Sequence, residues 1–303
     1  MSKIKEKMIT EKVDMVTRPV NVLLNILFVL LCTMCIYPFL LVISTSFNSE
    51  VAIARYGYTA FPKEPTLYAY KYLFMNASTL LRAYGVTIFV TVVGTVLHVV
   101  VCGLYGYAIS RNEFKLRKFF TFYMFFTMLF SGGTVPWYIV CTKFLHINNT
   151  IWALILPALC SAWNIIILKT FFKSSVPDAI IESSRIDGAS EIKTFVRIVC
   201  PIALPGLATI ALFAMLGFWN NYFNAMMLTT KPALQNLQLY LYNILKSASM
   251  MESGANMGGM TLKLPQEGAR NAICVISIAP IIFAYPFFQR YFIQGLTIGA
   301  VKG

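Results

Sequence analysis

Long apolar runs alternate with shorter polar segments along the whole chain. Six runs are apolar over about 20 residues, the length a helix needs to cross the hydrocarbon core while satisfying its own backbone hydrogen bonds. Pro157 predicts a kink in the fourth run, which is the shortest. The runs cover Val22–Ser44, Tyr84–Ile109, Phe119–Val140, Ile151–Leu168, Ile202–Leu228 and Asn271–Phe292. This pattern predicts an all-α integral membrane protein with six transmembrane helices.

Basic residues concentrate in alternate polar segments, and cytoplasmic loops are the ones that retain lysine and arginine. The clusters are Lys3, Lys5, Lys7, Lys12 and Arg18; Arg111, Lys115, Arg117 and Lys118; and Lys169, Lys173, Arg185, Lys193 and Arg197. This distribution predicts an N-in/C-in orientation. The predicted organisation is a cytoplasmic segment over 1–21, a six-helix permease domain over 22–292 with a cytoplasmic loop at 170–205, and a cytoplasmic tail over 293–303.

Composition supports the membrane assignment and excludes other classes. Hydrophobic residues make up 58% of the chain and charged residues 12%, whereas soluble domains have about 25% charged residues. The net charge of +13 lies in short clusters between apolar runs, which favours anchoring to anionic lipid over nucleic-acid binding. Cys32 and Cys35 have no second cysteine pair or histidine nearby, so we interpret them as small apolar residues and predict no metal site.

The segment between the fourth and fifth runs combines charge, turn signals and amphipathic spacing. Ser175 and Asp178 form an S-x-x-D helix start, and Asp187-Gly188 is a turn signal. A second short helix is expected over Glu191–Val199, ending before Pro201. The exposed apolar positions are predicted to be Ile180, Ile181, Ile186 and Phe195. Spacing alone leaves two alternatives open, docking into a groove on another protein or lying on the lipid surface.

The stretch from Glu182 to Pro205 resembles the EAA loop of ABC importer permeases. It reads E-S-S-x-x-D-G-A, followed by F-x-x-I-x-x-P-x-x-x-P. Ser183 and Ser184 replace the usual alanines, and Cys200 replaces a leucine. The resemblance implies the type I permease fold and a loop that fits a cleft on an ATP-hydrolysing subunit. The residues it assigns to this loop are Glu182, Ser183, Ser184, Asp187, Gly188, Ala189, Ile198 and Pro201.

Other segments are similar to the oligosaccharide branch of these permeases, which includes the maltose-type inner-membrane permeases. They are FPKEPTLYAYKYLF, MLFSGGTVPWYIV, NNTIWALILPA, FWNNYF and QRYFIQGLTIGAVKG. The resemblance implies a multi-pass subunit of the bacterial cell membrane that imports carbohydrate by alternating access. Its implied partners are a homologous permease, two ATP-binding subunits that hold ATP and Mg, and an extracytoplasmic solute-binding protein. It also implies that the tail Gly295–Gly303 reaches the interface between the ATPases.

Polar and aromatic residues in the fifth run are the candidates for a substrate path, because sugars have apolar ring faces and many hydroxyls. These are Trp219, Asn220, Asn221, Tyr222 and Asn224. Helix–helix hydrogen bonding or an interfacial anchor is the alternative. His98 is expected to be a hydrogen-bonded interior residue. The loops 45–83 and 229–270 are candidates for contacting the binding protein, the second as an irregular segment.

The chain offers no catalytic set and no nucleotide-binding G-x-x-x-x-G-K-[ST] motif, so we predict a non-catalytic subunit without a cofactor of its own. A permease for another solute class, such as a peptide or an osmolyte, stays open. So do a membrane scaffold and a proton- or sodium-coupled carrier. The carrier is disfavoured here because neither membrane carboxylates nor broken helices are expected from the sequence.

Overall fold

The computed structural model describes residues 18–75, 77–258 and 266–300. No β-strand occurs among them, and the one isolated bridge pairs Asn48 with Pro65. The α-helices are α1 (Arg18–Ser46), α2 (Glu50–Tyr56), α3 (Tyr68–Phe74), α4 (Ala77–Ser110), α5 (Arg117–Leu129), α6 (Thr134–Ile139), α7 (Trp152–Ile155), α8 (Ala162–Ser175), α9 (Asp178–Ile186), α10 (Glu191–Thr194), α11 (Leu204–Trp219), α12 (Phe223–Leu228), α13 (Leu237–Gly258) and α14 (Gln266–Ala300). The all-α prediction is therefore confirmed over this part of the chain.

Helices α1 and α4 are each long and apolar enough to cross a membrane. Three further candidates are helix pairs bent at a short break: Arg117–Leu129 with Thr134–Phe144 by 115°, Trp152–Ala158 with Ala162–Ser175 by 53°, and Glu191–Ile202 with Leu204–Trp219 by 87°. The expectation of unbroken helices was wrong, so it no longer argues against a carrier. The bend of the fourth run agrees with the kink predicted at Pro157. Gly133, at φ +82°, lies in the break of the third run.

The chain divides into two compact units, residues 1–73 with 261–275 and residues 74–260 with 276–303. In the second unit α4 packs against α8 and α11. Gly94 allows α4 to approach α11, because an added Cβ would lie 2.8 Å from the Phe218 ring; Gly206 likewise allows α11 to approach α8, where the Cβ would lie 2.6 Å from the Phe171 ring. The core beneath α9 and α10 includes the fully buried residues Ile165, Leu168, Phe172 and Val199.

His98 is a buried polar residue in the middle part of α4. Its Nδ1 lies 3.0 Å from the Ala158 carbonyl, which can only accept, so Nδ1 carries the proton. In the neutral ring, Nε2 then accepts a hydrogen bond from the Asn164 amide at 2.9 Å. Both ring nitrogens are satisfied, so the prediction of a hydrogen-bonded interior residue is confirmed.

In the first unit, side-chain hydrogen bonds organise the segment after α1. The Asn48 carbonyl Oδ1 accepts from the backbone N–H groups of Ser49 and Glu64. The Glu50 carboxylate accepts from the Gly268 amide at 2.7 Å. Burial raises the pKa of the Glu50 carboxyl above its ordinary value, while this amide partly offsets the effect. The predicted outer loop 45–83 therefore contains two short helices, α2 and α3, and a fixed connection between them.

One other prediction needs correction. The loop over 229–270 is not irregular, because α13 occupies Leu237–Gly258; the apolar side chains of Leu237, Leu239 and Leu241 are buried and outweigh the polar composition. Residues 259–265 of this loop lie outside the described residues. At the carboxyl end, α14 continues to Ala300, so no helix end separates the predicted tail from the last apolar run. Residues 1–17, in the predicted N-terminal segment, and 301–303 are also outside.

Candidate functional site

The candidate coupling loop consists of α9, a tight turn and α10. The turn is a Schellman motif, in which the Gly188 N–H donates to the Arg185 carbonyl and the Ala189 N–H to the Ser184 carbonyl, both at 3.0 Å. Gly188 has φ +76°, a region that costs a Cβ-bearing residue energy. Asp187 is the exposed C-cap residue before it. The predicted Asp187-Gly188 turn is therefore confirmed in detail.

The start of α9 differs from the prediction. Ser175 belongs to the last turn of α8, and Pro177 occupies the N-cap position of α9 without a side-chain hydrogen bond. Asp178 in the first turn instead accepts from Arg111 Nη1 at 3.1 Å. The S-x-x-D interpretation was wrong because α8 extends to Ser175 and an arginine from α4's end binds the aspartate.

The two serines of E-S-S have different surroundings. Ser184 is 5% exposed, and its hydroxyl lies 3.0 Å from that of Thr194, which is 1% exposed. This contact joins α9 directly to α10, where a larger side chain would not fit without displacing one helix. Ser183 is exposed and bonds only its own helix, donating to the Ile180 carbonyl. Glu182 is exposed beside it.

Charged side chains fasten the loop to the end of α4. Arg185 Nε donates to Glu191 Oε1 at 2.8 Å, and Arg185 Nη1 lies 3.4 Å from Glu113 Oε1. The hydrogen bond to Glu191 raises the pKa of the Arg185 guanidinium above its ordinary value. Arg111 is buried, pairs with Asp178 and stacks over the Tyr107 ring at 5.3 Å.

The apolar side chains of the loop are divided between its two surfaces. Ile186 is 87% exposed and Ile180 39% exposed, as predicted for a docking surface. Ile181 and Phe195 are buried, so their predicted exposure was wrong; Phe195 packs its ring 5.2 Å from that of Tyr107. Sequence reasoning missed Ile192 and Val196, which are exposed on α10 and the turn that follows. Their spacing of four residues was the available signal.

The helical segment that begins with α10 does not stop before Pro201, although the sequence predicted that it would. A π turn over Phe195–Val199 follows it, and a last turn at Cys200–Ile202 includes the exposed Pro201. The Cys200 N–H donates to the carbonyl of Phe195, five residues earlier, which is the hydrogen-bond spacing of a π-helix. Cys200 itself keeps helical dihedral angles. The extra residue rearranges the hydrogen bonds ahead of the proline, which has no N–H to donate. Ile198 is half-buried within this π turn.

The candidate substrate-path residues lie at the break between α11 and α12. Trp219 is 6% exposed and donates from Nε1 to the Ser277 carbonyl at 3.0 Å, and Asn224 is also buried. Asn221 is half-buried, and its carbonyl accepts from Asn236. Asn220 and Tyr222 are exposed. Of the five predicted residues at the break, two side chains are therefore accessible and three are buried or half-buried.

Two residues of α13 adjoin this break, and the sequence analysis did not include them. The Tyr242 ring stacks on that of Tyr222 at 5.6 Å, and Gln238 Nε2 donates to Asn220 Oδ1 at 3.4 Å. We call Asn220, Tyr222, Gln238 and Tyr242 the break surface. It presents amide groups and flat aromatic faces, which can hydrogen-bond hydroxyls and contact apolar ring faces. The spacing of Gln238 and Tyr242 was a signal only once a helix was recognised there.

Long apolar helices, together with a two-helix polar loop fastened to the end of α4, are typical of a membrane transport component. Over residues 100–298, more than half of its length, the chain matches the family described as binding-protein-dependent transport system inner membrane component. The chain belongs to this family. Membership confirms the recognised resemblance and the prediction of a non-catalytic membrane subunit, and it decides against the scaffold and the carrier.

Individual relatives align over most of the chain. Protein LplC of Bacillus subtilis (strain 168) is 40% identical, over 88% of this chain and 90% of its own. The polygalacturonan/rhamnogalacturonan transport system permease protein YtcP of the same strain is 35% identical, over 89% and 93%. A crystal structure of a bacterial ABC transporter involved in the import of the acidic polysaccharide alginate matches with a TM-score of 0.77 and 28% identity, over 91% of this chain and 97% of that one.

Proposed function

We propose that this chain is a permease subunit of an ATP-driven, binding-protein-dependent ABC importer for an oligosaccharide. The observation that carries the proposal is the two-helix loop, rigidly joined to α4 and presenting Ile186, Ile192 and Val196 outward. An exposed apolar surface on a fixed support is suited to bind a groove on a partner. The proposed partner there is an ATP-binding subunit, whose closure on ATP and Mg would move the loop and α4 together.

The arrangement in the membrane is part of the proposal. The chain would cross the bacterial cell membrane six times with both ends in the cytoplasm, supported by the basic residues that flank α9 and α10. A homologous permease would lie beside it, two ATP-binding subunits below and an extracytoplasmic solute-binding protein above. The segments containing α2, α3 and α13 are the proposed contacts for the binding protein.

The substrate class is supported by relatives and by the break surface. Relatives are named for polygalacturonan/rhamnogalacturonan and for arabinooligosaccharides, the latter including a protein of Halalkalibacterium halodurans at 29% identity. The exposed Tyr222–Tyr242 pair and the Asn220 amide fit a sugar's ring faces and hydroxyls. We propose that these side chains contact the sugar during its passage, while Trp219, Asn221 and Asn224 hold the break in shape.

The test is affinity purification of the full chain from its own host in mild detergent, with mass spectrometry of the co-purifying proteins. We expect an ATP-binding subunit, a homologous permease and a binding protein, whose affinity for uronate and neutral oligosaccharides is then measured. Ile186→Glu should remove most of the ATP-binding subunit, whereas Phe61→Glu, at an 81% exposed residue outside the loop, should not. Recovery of the chain alone, even after cross-linking, contradicts the proposal.

A further inference from the structure

A basic cavity lies between the end of α4, the first turns of α5 and the last turns of α8. Its volume is about 430 Å³. The polar residues that line it are Ser110, Arg117, Lys118, Thr121, Lys169 and Lys173, and no aspartate or glutamate is among its lining residues. The cavity is separate from the coupling loop and from the break surface, and neither proposed role uses it.

The positive charges of this cavity are not neutralised within the described residues. None of its four basic side chains forms an ion pair there, whereas Arg111, Arg185 and Arg270 all do. Lys169 Nζ donates to the Thr121 hydroxyl at 3.2 Å. The positive charges of Lys173 and Arg117 are near enough to repel the Lys169 ammonium. Arg117 donates to Asn112 Oδ1, an uncharged partner that fixes its position. Four basic side chains that line one cavity without a carboxylate among them favour a bound anion.

The chemistry of the anion follows from what surrounds the charges. The amino end of α5 opens at the same cavity without a side-chain cap, adding partial positive charge. Phe122 and Phe125 also line the cavity and are 66% and 46% exposed. They lie on α5, within an apolar candidate span. A phosphate with attached acyl chains satisfies both parts, because its charge meets the basic groups and its chains meet the phenylalanines.

We propose that this cavity binds the phosphate headgroup of an anionic phospholipid. The basic cluster and the apolar wall adjoin in sequence along α5, where Arg117 and Lys118 precede Phe122 by about one turn. Such a lipid would hold α5 and α8 together at the membrane surface next to the coupling loop. In the proposed orientation the headgroup belongs to the cytoplasmic leaflet.

The test is native mass spectrometry of the full chain, released from micelles that contain phosphatidylglycerol and phosphatidylcholine in equal amounts. The wild-type chain should retain phosphatidylglycerol preferentially. Lys169→Gln with Lys173→Gln should weaken that retention by about thirtyfold, since each of the two lysines near an anionic headgroup contributes roughly 1 kcal/mol. Lys115→Gln with Lys193→Gln removes the same charge at exposed residues outside the cavity and should leave retention unchanged.

Two further arms decide the remaining outcomes. Lys169→Arg with Lys173→Arg keeps the charge and should keep the lipid, which separates a charge effect from misfolding. Inorganic phosphate is titrated against the retained phosphatidylglycerol at millimolar concentration and should not displace it. Displacement would assign the cavity to a soluble phosphate and overturn the lipid proposal. Equal retention by the Gln pair and its control pair would overturn it too.

Discussion

The coupling loop and the break surface use polar groups in opposite ways. In the loop, Asp178, Ser184 and Arg185 have partners within the chain, and apolar side chains face outward. At the break, the buried residues are apolar or internally bonded, and amide and aromatic groups remain accessible. The difference fits two tasks. A segment that transmits force needs internal fixation, whereas a surface that contacts a passing sugar needs groups that are still available.

The largest expected effect comes from breaking the fixed turn. Gly188→Pro removes the N–H that donates to Arg185 and requires a negative φ where the native value is +76°. We expect sugar uptake and stimulated ATP hydrolysis to fall more than tenfold in cells expressing all subunits, with the chain still inserted in the membrane. Gly188→Asn, which tolerates positive φ better, is the control. Normal uptake by the proline variant would contradict the coupling role.

The second test separates the two serines of the loop. Ser184→Leu overpacks the contact with Thr194 and should lower stability by about 1–3 kcal/mol. Ser183→Leu places the same side chain at an exposed position and should change stability by less than about 0.5 kcal/mol. Thermal unfolding of the purified chain measures both. Equal losses from the two variants would mean that the loop is not held through Ser184.

The third test concerns the break surface. Tyr222→Ala removes an exposed aromatic face worth about 0.5–1.5 kcal/mol, so the half-saturating sugar concentration should rise about twofold to tenfold. The assay is uptake into vesicles containing the complete transporter and saturating binding protein. Tyr123→Ala removes an exposed tyrosine from α5 and serves as the control. An unchanged value for Tyr222→Ala would remove this residue from the proposed sugar contacts.

The smallest expected effects distinguish the ion pairs within the loop's support. Glu113→Gln breaks only a 3.4 Å contact between partly exposed side chains, so stability should change by less than about 0.5 kcal/mol. Asp178→Asn leaves the buried Arg111 without its carboxylate and should cost more, about 1 kcal/mol. Thermal unfolding at low and high salt compares them. A larger loss from Glu113→Gln would reverse the assigned order.

Much of the fold could be predicted because a bilayer restricts the chain to satisfied helices. The runs at Val22–Ser44 and Tyr84–Ile109 lie inside α1 and α4, and the glycine of the coupling turn was recognisable by its neighbours. The breaks were less predictable. Window hydropathy averages across Phe130–Gly133 and Asn220–Tyr222, so the few polar and glycine residues at each break do not divide a run of about 20 apolar residues.

Side-chain orientation in the loop was the other limit. Four isoleucine and phenylalanine positions were expected to face outward, but Ile181 and Phe195 contribute to the core with Tyr107 and Phe172. Short helices have too few turns for periodicity to fix the buried side. The ion pair that supports the loop was also unpredictable. Arg111 and Asp178 are 67 positions apart in sequence, and only the folded chain brings the end of α4 to α9.

The π turn at Phe195–Val199 fixes the rotation of the coupling loop relative to the helical turn Cys200–Ile202, which leads into the bend before α11. One additional residue in a helix rotates everything beyond it by about 100°. The direction in which the chain enters the 87° bend before α11 is therefore linked to the direction in which the exposed Ile192 points. A single deletion within the π turn would rotate Ile192 by about 100° relative to Cys200–Ile202 and so turn the partner-facing surface out of its present direction.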